Sequence, residues 1–150
     1  MYFVPLFNPC DKFKCVHCGR CCGKGLKEWY LELSKRDIKK LHELGYKNAI
    51  RIINGKAFLK RKKDGSCIFL DNDNLCYLRK KYKWYPLGCR LFPFSYYIFN
   101  STLFLTVNIN YINKIQCLGY GNGATLGSQI DDILNILYEE KIIEEYYVVK

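Results

Sequence analysis

The sequence predicts a small α+β single domain: short β-hairpins, two helices and cysteine-bearing loops around a metal-binding region. Three features of its 150 residues carry that reading. Asn-Gly and Asn-Ser dipeptides sit between strand-like runs, and two amphipathic stretches have helical period. Nine cysteines lie mostly in the irregular segments between them. No repeat or low-complexity linker marks a boundary, so residues 1–150 are expected to form one cysteine-cluster metal-binding domain.

The opening "MYFVPLFNPC" is apolar but has neither a basic leader nor a small-residue cleavage site, and it reads as mature protein. "EWYLEL" alternates Trp29, Leu31 and Leu33 with polar residues, the pattern of a half-buried strand. Ser34 and Asp37 have capping-box spacing, with Asp in place of the usual Glu or Gln. The helix they start carries Ile38, Leu41 and Leu44 and stops at Gly45; His42 reads as a surface or cap residue on it. "AIRIINGKAFLK" is a hairpin turning on Asn54-Gly55. A turn at Asp64-Gly65 leads into "SCIFLD", a short strand bearing Cys67. Asp71 and Asp73 lack the glycine and distal Glu of a calcium loop and read as an Asx turn. Pro86 and Pro93 bracket and stiffen the segment around Cys89.

"FSYYIFNSTLFLTVNI" predicts a second hairpin about Asn100-Ser101. "GYGNGATLG" is glycine-rich, but it lacks the Lys-Ser/Thr of a phosphate loop, so a nucleotide-binding reading is weak. Ser128 is expected to cap the second helix, whose stripe Ile130, Ile133, Leu134 and Leu137 packs on the core.

Composition narrows the function. A hydrophobic content of 49% with 13 tyrosines excludes a disordered chain. No apolar run reaches the ~18 residues of a membrane span, so no membrane association is expected and the default location is cytoplasmic. In a reducing compartment, clustered cysteines bind metal or do redox work more often than they form disulfides. The net charge of +10 invites a nucleic-acid reading. Eight metal-bound thiolates around two divalent centres would reduce it to about +6. The remaining basic runs, "LKRKK" and "LRKKYK", are expected to be solvated faces or loops, and Asp131–Glu145 is acidic, so nucleic acid is the weaker expectation.

"CVHCGRCC" places Cys15, Cys18, Cys21 and Cys22 within eight positions. Four thiols so close cannot pair locally as disulfides without strain. Three cysteines at successive x2 spacing match the run that wraps a cubane cluster in bacterial ferredoxins. Zinc ribbons instead bring two separate CxxC pairs together, although four thiols also make a zinc shell. Gly19 and Gly23 permit the tight wrap. Neighbouring side chains are expected to diverge, which turns Cys22 toward a second centre or leaves it a spare thiol. Cys67, Cys76, Cys89 and Cys117 raise the set to eight, enough for two four-thiolate sites. Cys10 is then the odd one, expected to be a small buried apolar residue. His17, inside the first loop, is a fallback ligand.

The segments "CVHCGRCC", "GSCIFLDNDNLCYL", "PLGCRLFPF" and "CLGYGNG" occur in an order that resembles the CxxCxxCC cysteine-cluster family, the YkgJ type of zinc- or iron-chelating domain. The resemblance runs from Cys15 to Gly123. It implies Cys15, Cys18, Cys21, Cys22, Cys67, Cys76, Cys89 and Cys117 as the metal and cofactor ligands and leaves Cys10 out. Arg90 also matches; it would hydrogen-bond near sulfur or bind an anionic substrate, or else form a surface salt bridge. A related cluster in flagellin lysine N-methylases looks like an iron–sulfur site, but this chain is far shorter and that activity does not transfer.

Three functions are consistent with these residues. The favoured one is a protein holding one or two iron–sulfur clusters, of 4Fe–4S type, in electron transfer or as accessory to a partner redox or methyl-transfer enzyme. The second is a structural zinc protein with a protein- or RNA-binding surface. The third is a small metal-dependent enzyme, although no Ser/His/Asp triad, carboxylate pair or HExxH can be assembled. The triple x2 spacing and the surplus thiols favour the first.

Overall fold

The computed structural model describes residues 1–23 and 31–144. Its elements are β1 (Tyr2–Leu6), β2 (Lys12–Phe13), α1 (Lys35–Glu43), β3 (Ile50–Ile53), β4 (Lys56–Leu59), α2 (Tyr77–Tyr82), α3 (Leu87–Leu91), β5 (Phe94–Phe99), β6 (Thr102–Val107), α4 (Ile109–Ile115), β7 (Ala124–Thr125) and α5 (Ile130–Glu139). The α+β class is as predicted, but five α-helices rather than two occur among the described residues. None is long and apolar enough to cross a membrane. The chain resolves into two compact units, one of Met1–Val16, Leu91–Lys114 and Leu118–Lys150, the other of His17–Arg90 and Ile115–Cys117.

In the first unit the predicted hairpin forms β5 and β6, with Phe99 opposite Thr102 across a two-residue turn. Asn100 and Ser101 both take positive φ, 49° and 57°, as a primed turn requires. Tyr97 stacks on its cross-strand partner Phe104 at 4.7 Å. β1, absent from the sequence reading, adds in parallel to β6 and completes a three-stranded sheet in the order β1-β6-β5. Leu103, Leu105 and Phe94 from this sheet are buried, as are Ile133, Leu134 and Leu137 of α5. Ser128 does not cap α5. It lies in a 3₁₀ turn, Gly127–Gln129, and its hydroxyl donates to Thr125 O at 2.7 Å. The helix therefore starts by continuing a tighter turn and needs no side-chain cap.

The glycine-rich loop of this unit has a packing role. Its β7 pairs with β2, and Gly119 O accepts from Lys14 N at 3.0 Å. A Cβ on Gly119 would stand 2.2 Å from Lys14 O, so only glycine allows the two backbones to approach.

In the second unit the predicted strand is described only in part: Glu28, Trp29 and Tyr30 lie outside the described residues, as does Glu145 near the other end of the chain. Leu31–Leu33 behave as the edge of the predicted strand. Leu33 N donates to Ala57 O at 2.8 Å, and Leu59 N donates to Leu31 O at 3.3 Å. The Asn54-Gly55 hairpin forms as expected, pairing Ile53 with Lys56. "SCIFLD" is not a strand. Cys67 and Leu70 each make one isolated bridge, and Leu70 N closes a turn on Cys67 O at 3.0 Å. The Asx reading of the next segment holds, with Leu75 N donating to Asp73 Oδ1 at 3.2 Å. Lys80 on α2 bridges Asp71 and Asp73 at 2.6 and 2.9 Å.

Asp37 joins two helices. Its carboxylate accepts from Ser34 N at 3.0 Å while Ser34 Oγ accepts from Asp37 N at 3.1 Å, completing the capping box of α1. The same carboxylate accepts from Leu87 N, the first residue of α3, at 3.1 and 3.3 Å. It is only 1% exposed. Burial holds it above the usual carboxylate range, although the backbone donors and Arg90 pull the other way. Asp37→Ala should cost about 2–4 kcal/mol in chemical denaturation, because two main-chain donors lose their acceptor. A raised folded pKa contributes stability that is full below the unfolded carboxylate pKa and is lost as pH rises through the folded value. Asp37→Asn should therefore cost less at pH 8 than at pH 4; an unchanged cost across that range would contradict the burial argument.

Candidate metal centre

All nine cysteines are thiols outside disulfides. Seven of the eight predicted ligands, Cys18, Cys21, Cys22, Cys67, Cys76, Cys89 and Cys117, fall in the second unit. Cys15 is exposed and belongs to the first.

The first loop folds into a 3₁₀ turn over Arg20–Cys22, bounded by Gly19 and Gly23 at φ 76° and 77°. Gly19 lies against the second cysteine segment. A Cβ there would meet Asn74 Cβ at 3.1 Å and Leu70 Cδ1 at 3.3 Å. One residue past the turn's centre, Cys22 O accepts from Cys67 N at 2.8 Å. Arg20 Nη1 donates to Gln116 O at 2.9 Å, which ties the residue before Cys117 to this same turn. Cys89 arrives on α3, whose first amide is held by Asp37. Three separate segments are thus fastened to the first loop or to α1 by bonds that reach main-chain atoms.

The thiols interact accordingly. Cys21 and Cys22 do not diverge. The tight turn brings their sulfurs within hydrogen-bonding reach, and that bond, followed by burial and the charges of Cys22 and Cys18, drives the Cys21 pKa far up. Burial, with Cys76 and Cys21 nearby, pushes the Cys67 thiol up to about 12. Cys89 is raised well above the ordinary thiol value, first by burial and then by Cys67, Cys21 and Cys76. Two overlapping sets emerge: Cys18, Cys21 and Cys22, and Cys21, Cys67, Cys76 and Cys89. Cys21 is common to both. Among the described residues, no three His, Cys, Asp or Glu side chains stand in a finished metal-ligating arrangement.

The donor chemistry fits zinc or an iron–sulfur cluster, because soft thiolates prefer those centres. Thiols crowded in a low-dielectric interior keep their protons until a cation replaces them. The residues outside this set behave differently. Cys10 is exposed, not buried, because it sits in a surface turn where its N–H donates to Asn8 Oδ1 at 2.9 Å. His17 is exposed at φ 56°, and His42 is exposed on α1, as expected. The sequence reading missed the second role of Asp37, since no local pattern links residue 37 to residue 87. It also missed the docking of Gly19 on Asn74.

One comparison with known proteins, the family model, bears on chelation. The model of a family described as "Putative zinc- or iron-chelating domain" matches residues 14–118. The uncharacterized protein MJ0939 of Methanocaldococcus jannaschii is 30% identical, over 88% of this chain and 48% of its own. The uncharacterized protein MJ0661 of the same organism is 32% identical, over 74% of this chain and 60% of its own. The chain thus spans about half the length of the curated relatives it matches. No solved structure matches it.

Two outcomes follow from this geometry. Gly19→Ala should cost more than Gly45→Ala, because both positions have positive φ but a Cβ on Gly45 meets nothing within 4 Å. The left-handed conformation costs about 1–2 kcal/mol in each; the Gly19 variant should in addition lose bound metal, measured by elemental analysis, while Gly45→Ala keeps it. Metal uptake should release protons, about one per thiolate engaged. Calorimetric titration in buffers of different ionisation enthalpy reads that number directly. Release near zero would mean that the thiols are already ionised, against the effect of burial.

Proposed function

The chain belongs to the CxxCxxCC family of zinc- or iron-chelating domains, and from that premise we propose that it is an iron–sulfur protein of 4Fe–4S type. The carrying observation is the thiol surplus: Cys21, Cys67, Cys76 and Cys89 influence one another, and Cys18 and Cys22 crowd the same corner. A lone zinc ion uses four ligands. Cys21, Cys67, Cys76 and Cys89 are the first candidates to hold a cluster, with Cys18, Cys22, Cys117 and Cys15 completing the family's set. A bound cluster would supply a one-electron redox centre.

The chain's own residues prepare the site. The Cys22–Cys67 backbone bond, the Asp37–Leu87 bond and the Arg20–Gln116 bond position the sulfur-bearing segments beforehand. Preorganised ligands need little rearrangement on loading. Cys67 is buried, while Cys18, Cys21, Cys22, Cys76, Cys89 and Cys117 are intermediate in exposure. That gradient gives the site an outward side, and it supports a role as an electron carrier or accessory docked on a redox or methyl-transfer enzyme. The structural zinc alternative is favoured by one observation, that Cys21, Cys67, Cys76 and Cys89 equal a closed four-thiolate shell in number and type.

Purification without oxygen, followed by iron, zinc and acid-labile sulfide analysis, separates the two. The expected product is brown, carries about four iron and four sulfide per cluster, and bleaches on adding dithionite. Cys21→Ser should remove the colour, and Cys10→Ala should retain it in full. A colourless protein with stoichiometric zinc and no sulfide would establish the zinc alternative instead.

A further inference from the structure

The β3–β4 hairpin and the loop after it enclose a cleft of about 460 Å³ within the second unit. Arg51, Lys60, Arg61, Lys62 and Lys63 line it, and Phe58 supplies an aromatic wall. Among the described residues no carboxylate lines it. Strand register accounts for the concentration of charge. Arg51 stands directly across from Phe58 in the antiparallel pair. Ala57 and Leu59 are buried on the other face, so Phe58 and Lys60 share the outer one.

Two acids, Asp64 and Glu32, lie beside the cleft, and Asp64 is close enough to Lys62 to interact with it electrostatically. Asp64 Oδ1 accepts from Ser66 N at 2.9 Å and from Ser66 Oγ at 2.6 Å. Glu32 bridges Phe58 on the strand edge opposite Arg51, so its exposed carboxylate shares the outer face with Phe58 without lining the cleft. The Lys62 ammonium donates to Leu70 O. Five cationic residues around one concavity outnumber the two carboxylates beside it, and the net positive field they focus attracts an anion. The volume is that of a small-molecule site. An aromatic wall beside a cationic track is the combination that holds a base by its face and a phosphate by its charge.

We propose that this cleft binds a phosphate-bearing ligand of nucleotide size, with its phosphates on the cations and its base against Phe58. The source is a free nucleotide or one unit of a single strand. The proposal is independent of which metal the thiols hold.

The test uses the full chain with its metal as purified. A fluorescent ATP analogue and a labelled dodecathymidylate are titrated at 0.1 M salt, with inorganic pyrophosphate and poly-glutamate as competitors. Combined Arg51→Gln, Lys60→Gln and Lys63→Gln, all at exposed positions, should weaken binding at least tenfold. The same charge removed at exposed Lys39, Lys47 and Lys114 should change it less than threefold. Phe58→Leu keeps the apolar bulk and removes the ring face; it should weaken both nucleotide probes about tenfold and leave pyrophosphate unaffected. Tighter binding of the strand, with a salt slope that falls by about 0.7 for each contact removed, identifies a strand as the source. Equal binding of the mononucleotide identifies a free nucleotide. No binding of either probe, equal losses in both triple variants, or competition by poly-glutamate as strong as by pyrophosphate would each overturn the proposal.

Discussion

The thiol site rests on hydrogen bonds that reach the main chain. Cys67 N on Cys22 O, Leu87 N on the Asp37 carboxylate and Arg20 on Gln116 O each cross a long stretch of sequence. Short loops and five- or six-residue helices bury too little apolar surface to fix their own positions. Buried polar groups must be satisfied, so a bond of this kind has a sharper geometric demand than packing does. The cost of breaking one is a buried unpaired donor. That is why a single carboxylate can hold both the start of α1 and the segment bearing Cys89.

Burial sets the chemistry of the sulfurs so held. Ordinary thiols ionise a little above neutrality, but desolvation and neighbouring sulfur charge raise Cys21, Cys67 and Cys89. A divalent or cluster cation inverts that balance, since it supplies the opposite charge that the interior otherwise lacks. Protein stability and chelation are then linked, because binding energy is delivered only to the folded arrangement. The adjacent cationic cleft lies on the same stretch of chain, with Arg61 bridged to Cys67. A cation-lined cleft and a thiol-bearing segment are thus joined through one backbone bridge.

Much of the fold was legible because its signals are local. Asn54-Gly55 and Asn100-Ser101 specify two-residue turns, and a turn specifies the register of both strands. The capping box at Ser34 and Asp37 is contained in four residues. Short helices hide from this kind of reading. α2, α3 and α4 have six, five and seven residues, fewer than two full helical turns, so no 3.6-residue period can be recognised. "SCIFLD" has strand composition, yet Leu70 closes back on Cys67 as a turn, because the segment is shaped by the loops on either side. Ser128 has the right residue type for a cap and the wrong backbone, being inside a 3₁₀ turn.

The amino-acid sequence by itself determined the α+β class, the two hairpins and the amphipathic faces of α1 and α5. Those properties follow from composition, period and spacing, which act over a few residues. Tertiary structure decided which thiols meet. Cys21 bonds to Cys22 in a tight turn and lies close enough to Cys67 and Cys89, from distant segments, to influence their ionisation, and Cys10 stands on the surface. It likewise decided that Asp37 reaches Leu87 and that five cationic residues line one cleft with Phe58. Such contacts join residues tens of positions apart, and loop closure leaves no local trace of which partner a side chain will find.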